Sequence, residues 1–188
     1  MMAMTYLRSL AFCVVCCCAF PALAQITLPG PFVGLLHDTG IELLLPLEAV
    51  YKLVDLEVND FQPCQVAIYS RQEKIEIRYL VEPYDSNKVA FQLPHVNASR
   101  LLMHLASNDE DAVITGHSLD NETLSRTGAD WGKAFFFKPK TAFSSRQHCQ
   151  LTILHKHLQG AIYIFLLFDD PNNPGISLRE NAVFFKNN

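Results

Sequence analysis

The sequence predicts an α+β fold: a single domain on a mostly antiparallel sheet of about six to eight strands, with one or two helices packed on one face. Three observations predict it. Trp131 to Phe168 holds three apolar runs, Trp131–Lys138, Cys149–His157 and Ala161–Phe168, the last two joined at Leu158-Gln159-Gly160. The third run is too continuously apolar to face water on either side, which reads as an interior strand. Ile75 to Glu82 alternates with period two, the mark of a strand with two unlike faces. Between these segments, Leu101, Leu102 and Leu105 fall at helical spacing behind Asn97.

Residues 1–24 read as a cleaved signal peptide. Arg8 supplies the positive n-region, Leu10 to Phe20 the apolar h-region, and Ala22-Leu23-Ala24 the cleavage signal, so the mature chain is expected to start at Gln25. The apolar run is about half of the roughly 20 residues a membrane span needs. Val14, Val15 and neighbouring cysteines stand before Cys16, Cys17 and Cys18, where lipid attachment calls for a leucine and small residues. The mature domain, 25–188, is therefore expected without an integral membrane span, exported to a periplasm or secreted. It keeps 14 of the 15 basic residues against all 19 acidic ones, a net charge of −5. With no basic run, that balance argues against a nucleic-acid partner held through phosphates.

Residues 25–40, with Pro29-Gly30-Pro31 and Gly34, read as an irregular arm carrying one apolar piece, Phe32 to Leu36. Ile41 to Leu45 is the first expected strand, ended by Pro46. Val54, Leu56 and Val58 alternate with Asp55, Glu57 and Asn59, again a strand with one wet face. Val66–Tyr69 and Ile75–Glu82 form a hairpin around Ser70–Lys74. Ile75, Ile77, Tyr79 and Val81 face the core, and Glu76, Arg78, Leu80 and Glu82 a largely solvated side. Pro83 to Pro94 is a loop, and Asn97 caps a helix over Ala98 to Ser107. Ala112 to Ile114 is a short strand, and Glu122 to Ser125 a short helix inside the polar segment Gly116–Ala129. After the three runs, Asp169–Gly175 terminates the sheet and Ala182 to Phe185 adds an edge strand.

Four of the six cysteines leave with the signal, and Cys64 and Cys149 remain. In an oxidising compartment two mature cysteines can pair, and the chain-entropy model gives so long a loop about 4–5 kcal/mol. The alternative is two separately buried thiols. Period two places Cys149, Leu151, Ile153, His155 and His157 on one face of their strand, and His148, Gln150, Thr152, Leu154 and Lys156 on the other. His155 and His157 form a candidate metal pair that would need a third ligand from elsewhere, against the plainer reading of two histidines at the strand's solvated rim. The same alternation separates His148 from Cys149, so the two do not make a thiol–imidazole catalytic pair. Gly116-His-Ser-Leu-Asp120 lacks the second glycine of a nucleophile elbow. Asp109, Glu110 and Asp111 do not have the spacing of a calcium loop. Asn97-Ala-Ser99 and Asn121-Glu-Thr123 match the glycosylation acceptor pattern. Trp131, Phe135, Phe136, Phe137 and Phe143 concentrate aromatic surface; packing in the core is the default, and Trp131 with Phe143 is the candidate interaction surface if part of it is exposed.

In the order of its elements around Trp131–Phe168, the chain resembles PsbP-like proteins, small α+β domains of chloroplast lumens and bacterial envelopes. The resemblance spans Ile41 to Phe168 and carries no specific motif or functional residue. It implies an accessory or binding role rather than catalysis. The residues themselves point the same way: an exported, non-enzymatic protein that binds a protein or small ligand in the cell envelope, with no cofactor motif. The alternative is a small metal-binding protein or hydrolase using His155 and His157.

Overall fold

The structure, a computed structural model, describes residues 26–46, 50–88, 93–180 and 182–186. The signal segment expected at 1–24 lies outside the described residues. In chain order the elements are α1 (Gly30–Asp38), β1 (Ile41–Leu43), β2 (Lys52–Val54), β3 (Val66–Ser70), β4 (Ile75–Pro83), α2 (Pro94–Leu105), β5 (Thr115–Ser118), α3 (Asn121–Thr127), β6 (Trp131–Phe137), β7 (His148–Lys156), β8 (Gly160–Phe168), α4 (Gly175–Arg179) and β9 (Val183–Phe185). Seven strands pair in the order β2-β3-β4-β8-β7-β6-β5, every neighbour antiparallel. β1 and β9 form a separate antiparallel pair. The fold is α+β, as the sequence predicts.

β8 lies in the interior of the sheet, and all nine of its residues are buried. Its even-numbered side chains, Ile162, Ile164, Leu166 and Phe168, join Ile75, Ile77, Tyr79 and Val81 of β4 in one apolar cluster. Its odd-numbered ones, Tyr163, Phe165 and Leu167, join Cys149, Leu151 and Ile153 of β7 in a second. A strand with two dry faces needs cover on both. α1, the β1–β9 pair, α3 and α4 cover the first, and α2 with the Phe61–Cys64 and Phe143 segments covers the second. Helices therefore lie on both faces, and four are formed among the described residues where one or two were expected.

Other differences have local causes. The arm at 25–40 is not irregular throughout. Pro31 sits in the first turn of α1, where its missing N–H is harmless, and Phe32 and Leu36, one turn apart, are buried in the core, the Phe32 ring 6.2 Å from that of Tyr79. α2 begins at Pro94 rather than after Asn97, which lies inside the helix and is buried. Ala98, Leu102 and Leu105 form its buried stripe. The strand expected from Val54 to Val58 stops at Val54, and the one expected at Ala112–Ile114 forms instead at Thr115–Ser118, opposite Lys133–Phe136. Both edge strands are short and fully exposed, which limits edge-to-edge pairing. The second face of β4 is not solvated: Leu80 packs in the α2-side cluster and Arg78 is buried. Arg78 Nε donates to Glu76 Oε1 at 2.6 Å, its Nη1 donates to the Phe143 carbonyl at 2.6 Å, and its guanidinium lies 4.9 Å from the Phe143 ring centre. These partners compensate a cation that burial alone would expel.

The β7–β8 turn uses Leu158 at φ 62° and Gly160 at φ 136°. A Cβ at Gly160 would stand 2.3 Å from the Glu82 carbonyl oxygen, because β4 runs directly alongside. Gly160→Ala is expected to lower stability by more than about 2 kcal/mol in urea unfolding, since backbone rather than a flexible side chain must move. At the other end of the sheet, Glu73 accepts from Tyr51 Oη at 2.6 Å, from Arg179 Nε at 3.0 Å and from Arg179 Nη2, joining α4 to the β3–β4 hairpin. Both charges are largely buried. Arg179→Ala leaves that carboxylate without its cation and is expected to destabilise by about 3–5 kcal/mol, whereas removing both ionic partners together costs less than the sum of the single losses. A double-mutant cycle by urea unfolding measures both.

Candidate functional site

The pocket under α3 begins with a row of small and polar residues crossing three strands. His117 of β5 stands opposite Ala134 of β6, and Ala134 opposite Thr152 of β7. Here the alanine methyl leaves a gap of about 270 Å³, floored by Ala134, Thr152 and Leu154. That is near the lower end of volumes that hold small organic ligands, about 300–1,000 Å³.

α3 roofs one side. The Asp120 side chain caps it by accepting from the Thr123 N–H at 2.7 Å, and this bond holds the Asp120 carboxyl below its ordinary range. Gly128, at φ 67°, ends the helix. Gly132 lets α3 approach β6, because a Cβ there would meet Leu119 Cδ1 at 2.7 Å and Leu124 Cδ2 at 3.1 Å. This close seat brings Arg126 and Thr123 over the pocket. The opposite wall is Glu180, just beyond α4, which accepts from Gln150 Nε2 at 2.8 Å.

Thr152 is the unusual member. It is 8% exposed on an interior strand, and its hydroxyl makes no hydrogen bond to a described residue. It faces the pocket together with Gln150, whose amide is held by Glu180. The arrangement offers a fixed hydroxyl on the floor, a guanidinium on one wall and a carboxylate on the other. It suits recognition of a small polar molecule.

The residues singled out in the sequence lie elsewhere. Cys149 is buried with Leu151 and Ile153, and Cys64 packs against the same α2-side cluster. Both are free thiols in this structure. Burial pushes both thiols well up, and the proximity of Cys64 adds to the shift of Cys149, so neither is poised as a thiolate nucleophile. His148 lies on the other face, stacked on Phe136 with ring centres 5.5 Å apart. β7 ends at Lys156, so His157 has left the strand and its alternation. Asp130 fixes this exit: its N–H donates to the His155 carbonyl at 2.9 Å, and its Oδ2 accepts the His157 N–H at 2.7 Å. His155 is 8% exposed and buried beside Trp131, while His157 is exposed in the turn. Among the described residues no three His, Cys, Asp or Glu side chains converge as a metal-holding group. Phe143 is 3% exposed, with its ring 5.2 Å from Phe165, and belongs to the core. Trp131 is half-buried against the same cluster. Of the two aromatic residues named for a surface, only Trp131 presents part of its ring to solvent, because Arg78 ties the Phe143 segment down over the sheet.

The sequence did not single out Thr152, Gln150, Arg126 or Glu180. The available signal was the polar pair Gln150 and Thr152 on one face of a strand whose other face runs Cys149, Leu151, Ile153 before His155.

No family model matches the chain, and a search of curated proteins finds no match. Among solved structures, it is similar to the solution structure of cyanobacterial PsbP (CyanoP) from Synechocystis sp. PCC 6803, with 12% identity over 79% of this chain and 88% of that one and a TM-score of 0.46.

Proposed function

We propose that the chain is an exported, non-enzymatic binding protein that takes a small polar ligand in the pocket beneath α3. The observation that carries this reading is Thr152, a polar side chain on an interior strand that lines an accessible cavity where the strand's neighbours in the sheet are apolar. A hydrogen-bonding group fixed in this way is preorganised for a ligand and loses little freedom on binding. The surrounding groups are donors and acceptors of fixed direction, and the thiols are protonated in the core, away from the pocket.

The export half of the reading is supported by the charge pattern and cleavage signal of residues 1–24. It is supported also by the meeting of Cys64 and Cys149 in one apolar cluster, from sequence positions far apart. In an oxidising compartment these two thiols pair by exchange with a disulfide donor, which is reduced to two thiols as the protein disulfide forms.

Two measurements test the proposal. Intact mass of the exported protein is expected to match residues 25–188 and to be two hydrogen masses lighter without reductant than with it. A retained leader, or two thiols that alkylate fully on unfolding without reductant, would overturn the export reading. Thermal unfolding against a panel of small amines, acids, polyols and amino acids is expected to show a saturable rise in Tm for at least one class, absent in Ala134→Leu, which fills the gap. No rise with any class, or a rise that survives Ala134→Leu unchanged, would remove the pocket from the function.

A further inference from the structure

We infer that the protein has a second site, at the β2 edge of the sheet, for an anionic amphiphile of the fatty-acid class: a carboxylate head on a medium-length aliphatic tail. The strand order β2-β3-β4-β8-β7-β6-β5 puts this edge at the far end of the sheet from the pocket beneath α3, so the inference goes beyond the binding role proposed above. The site is a cavity of about 400 Å³, within the range that holds small organic ligands. Val50, Leu53 and Val54 supply its aliphatic surface, Tyr69 of β3 its aromatic surface, and Lys52 and Arg71 its charge.

Two properties of this lining decide the ligand class. The first is uncovered apolar surface. Val50, Leu53 and Val54 are 56%, 46% and 38% exposed, and they line one cavity rather than lying scattered. An aliphatic occupant takes that surface out of water. The second is uncommitted positive charge. The Lys52 and Arg71 side chains make no hydrogen bond, ion pair or ring contact to a described residue, and no carboxylate among the described residues lines the cavity. Arg146, the neighbouring cation, is already used: its guanidinium lies 5.1 Å from the Tyr69 ring centre, and its Nη1 donates to Asp169 at 2.8 Å.

The register separates head from tail. Lys52 stands opposite Tyr69 and Val54 opposite Ala67, while Arg71 follows β3 in the hairpin loop. Both cations therefore lie towards the hairpin end, and Leu53 and Val54 lead away from them. Lys52 to Val54 covers roughly 7 Å of strand, which suits a medium-length tail. A cationic amphiphile would meet Lys52 and Arg71 as like charges, and an anion without a tail would leave the aliphatic wall wet. A carboxylate with a tail takes the planar fork of Arg71 and the point charge of Lys52 together with the apolar wall.

The discriminating probes are octanoate, 1-octanol and octylammonium, which share a tail and differ in head charge. Titration calorimetry on the purified protein is expected to show saturable one-to-one binding of octanoate. Each exposed cation is worth roughly two- to fivefold, because water and salt screen it. Octanoate is therefore expected to bind about tenfold more tightly than 1-octanol at low salt, with octylammonium weaker than both, and the ratio is expected to shrink as salt rises. Lys52→Gln and Arg71→Gln are each expected to weaken octanoate by roughly two- to fivefold with 1-octanol unchanged, and the double variant to bring the two to equal affinity. Shortening the tail from octanoate to heptanoate to hexanoate is expected to cost roughly two- to fourfold per methylene, and Leu53→Ser to weaken octanoate and 1-octanol alike. The substituted side chains are exposed, and an unchanged Tm without ligand verifies folding.

If 1-octanol binds as tightly as octanoate, or if the preference survives the double variant, the assignment fails. Uptake that does not saturate at one equivalent, or no binding of octanoate, overturns it as well. Sedimentation with phosphatidylglycerol vesicles that depends on Lys52 and Arg71, without binding of monomeric octanoate, would make this edge a membrane contact and overturn the fatty-acid site. None of these variants alters a residue lining the pocket beneath α3, so the two sites stand or fall separately.

Discussion

β8 has no wet face, and the rest of the molecule answers that fact. Nine successive residues from Gly160 to Phe168 are buried, with neighbours β4 and β7 on either side in the sheet. Each large apolar side chain there contributes roughly 1.5–3 kcal/mol relative to exposure, and that gain is available only if both faces are covered. The chain meets the requirement asymmetrically. α2 lies over one face, and several short pieces, α1, the β1–β9 pair, α3 and α4, tile the other.

Tiling with short elements leaves seams, and the seams are where the buried polar groups sit. Glu73 joins α4 and Tyr51 to the β3–β4 hairpin, and burial followed by its carboxylate pushes the Tyr51 phenol well up. Arg78 fastens the Phe143 segment over the α2-side face. Tyr163 donates to Glu82 at 3.0 Å below α2. Each contact satisfies a polar atom that burial would otherwise penalise, and each fixes how a covering piece sits on the sheet. One seam is left open: between α3 and Glu180, the sheet presents the small Ala134 beside the polar Thr152.

A site in this place inherits the rigidity of the sheet. Thr152 and Gln150 project from an interior strand, and α3 is seated by Gly132 and capped at both ends. Groups fixed by packing direct their hydrogen bonds without needing to be ordered at the moment of binding, which favours selective recognition in a small cavity.

The sequence by itself determined the fold class, the β3–β4 hairpin, the three strands from Trp131 to Phe168 and the apolar stripe of α2. All are local periodicities, and period two or 3.6 is written directly in the order of side chains. It also separated His148 from Cys149, since neighbouring residues on a strand point apart. It did not determine where β7 stops, because the exit of His157 depends on Asp130, far away in sequence. Nor did it reveal that Arg78 and Phe143 are buried together, or that α1 forms, since both depend on which surface comes to lie over the sheet. The pocket is the extreme case. His117, Arg126, Ala134, Thr152 and Glu180 come from five separate segments, and no spacing links them. Only the pairing order β7-β6-β5 and the seat of α3 bring them to one cavity, because a site between layers is set by which layers meet and not by the period of any one of them.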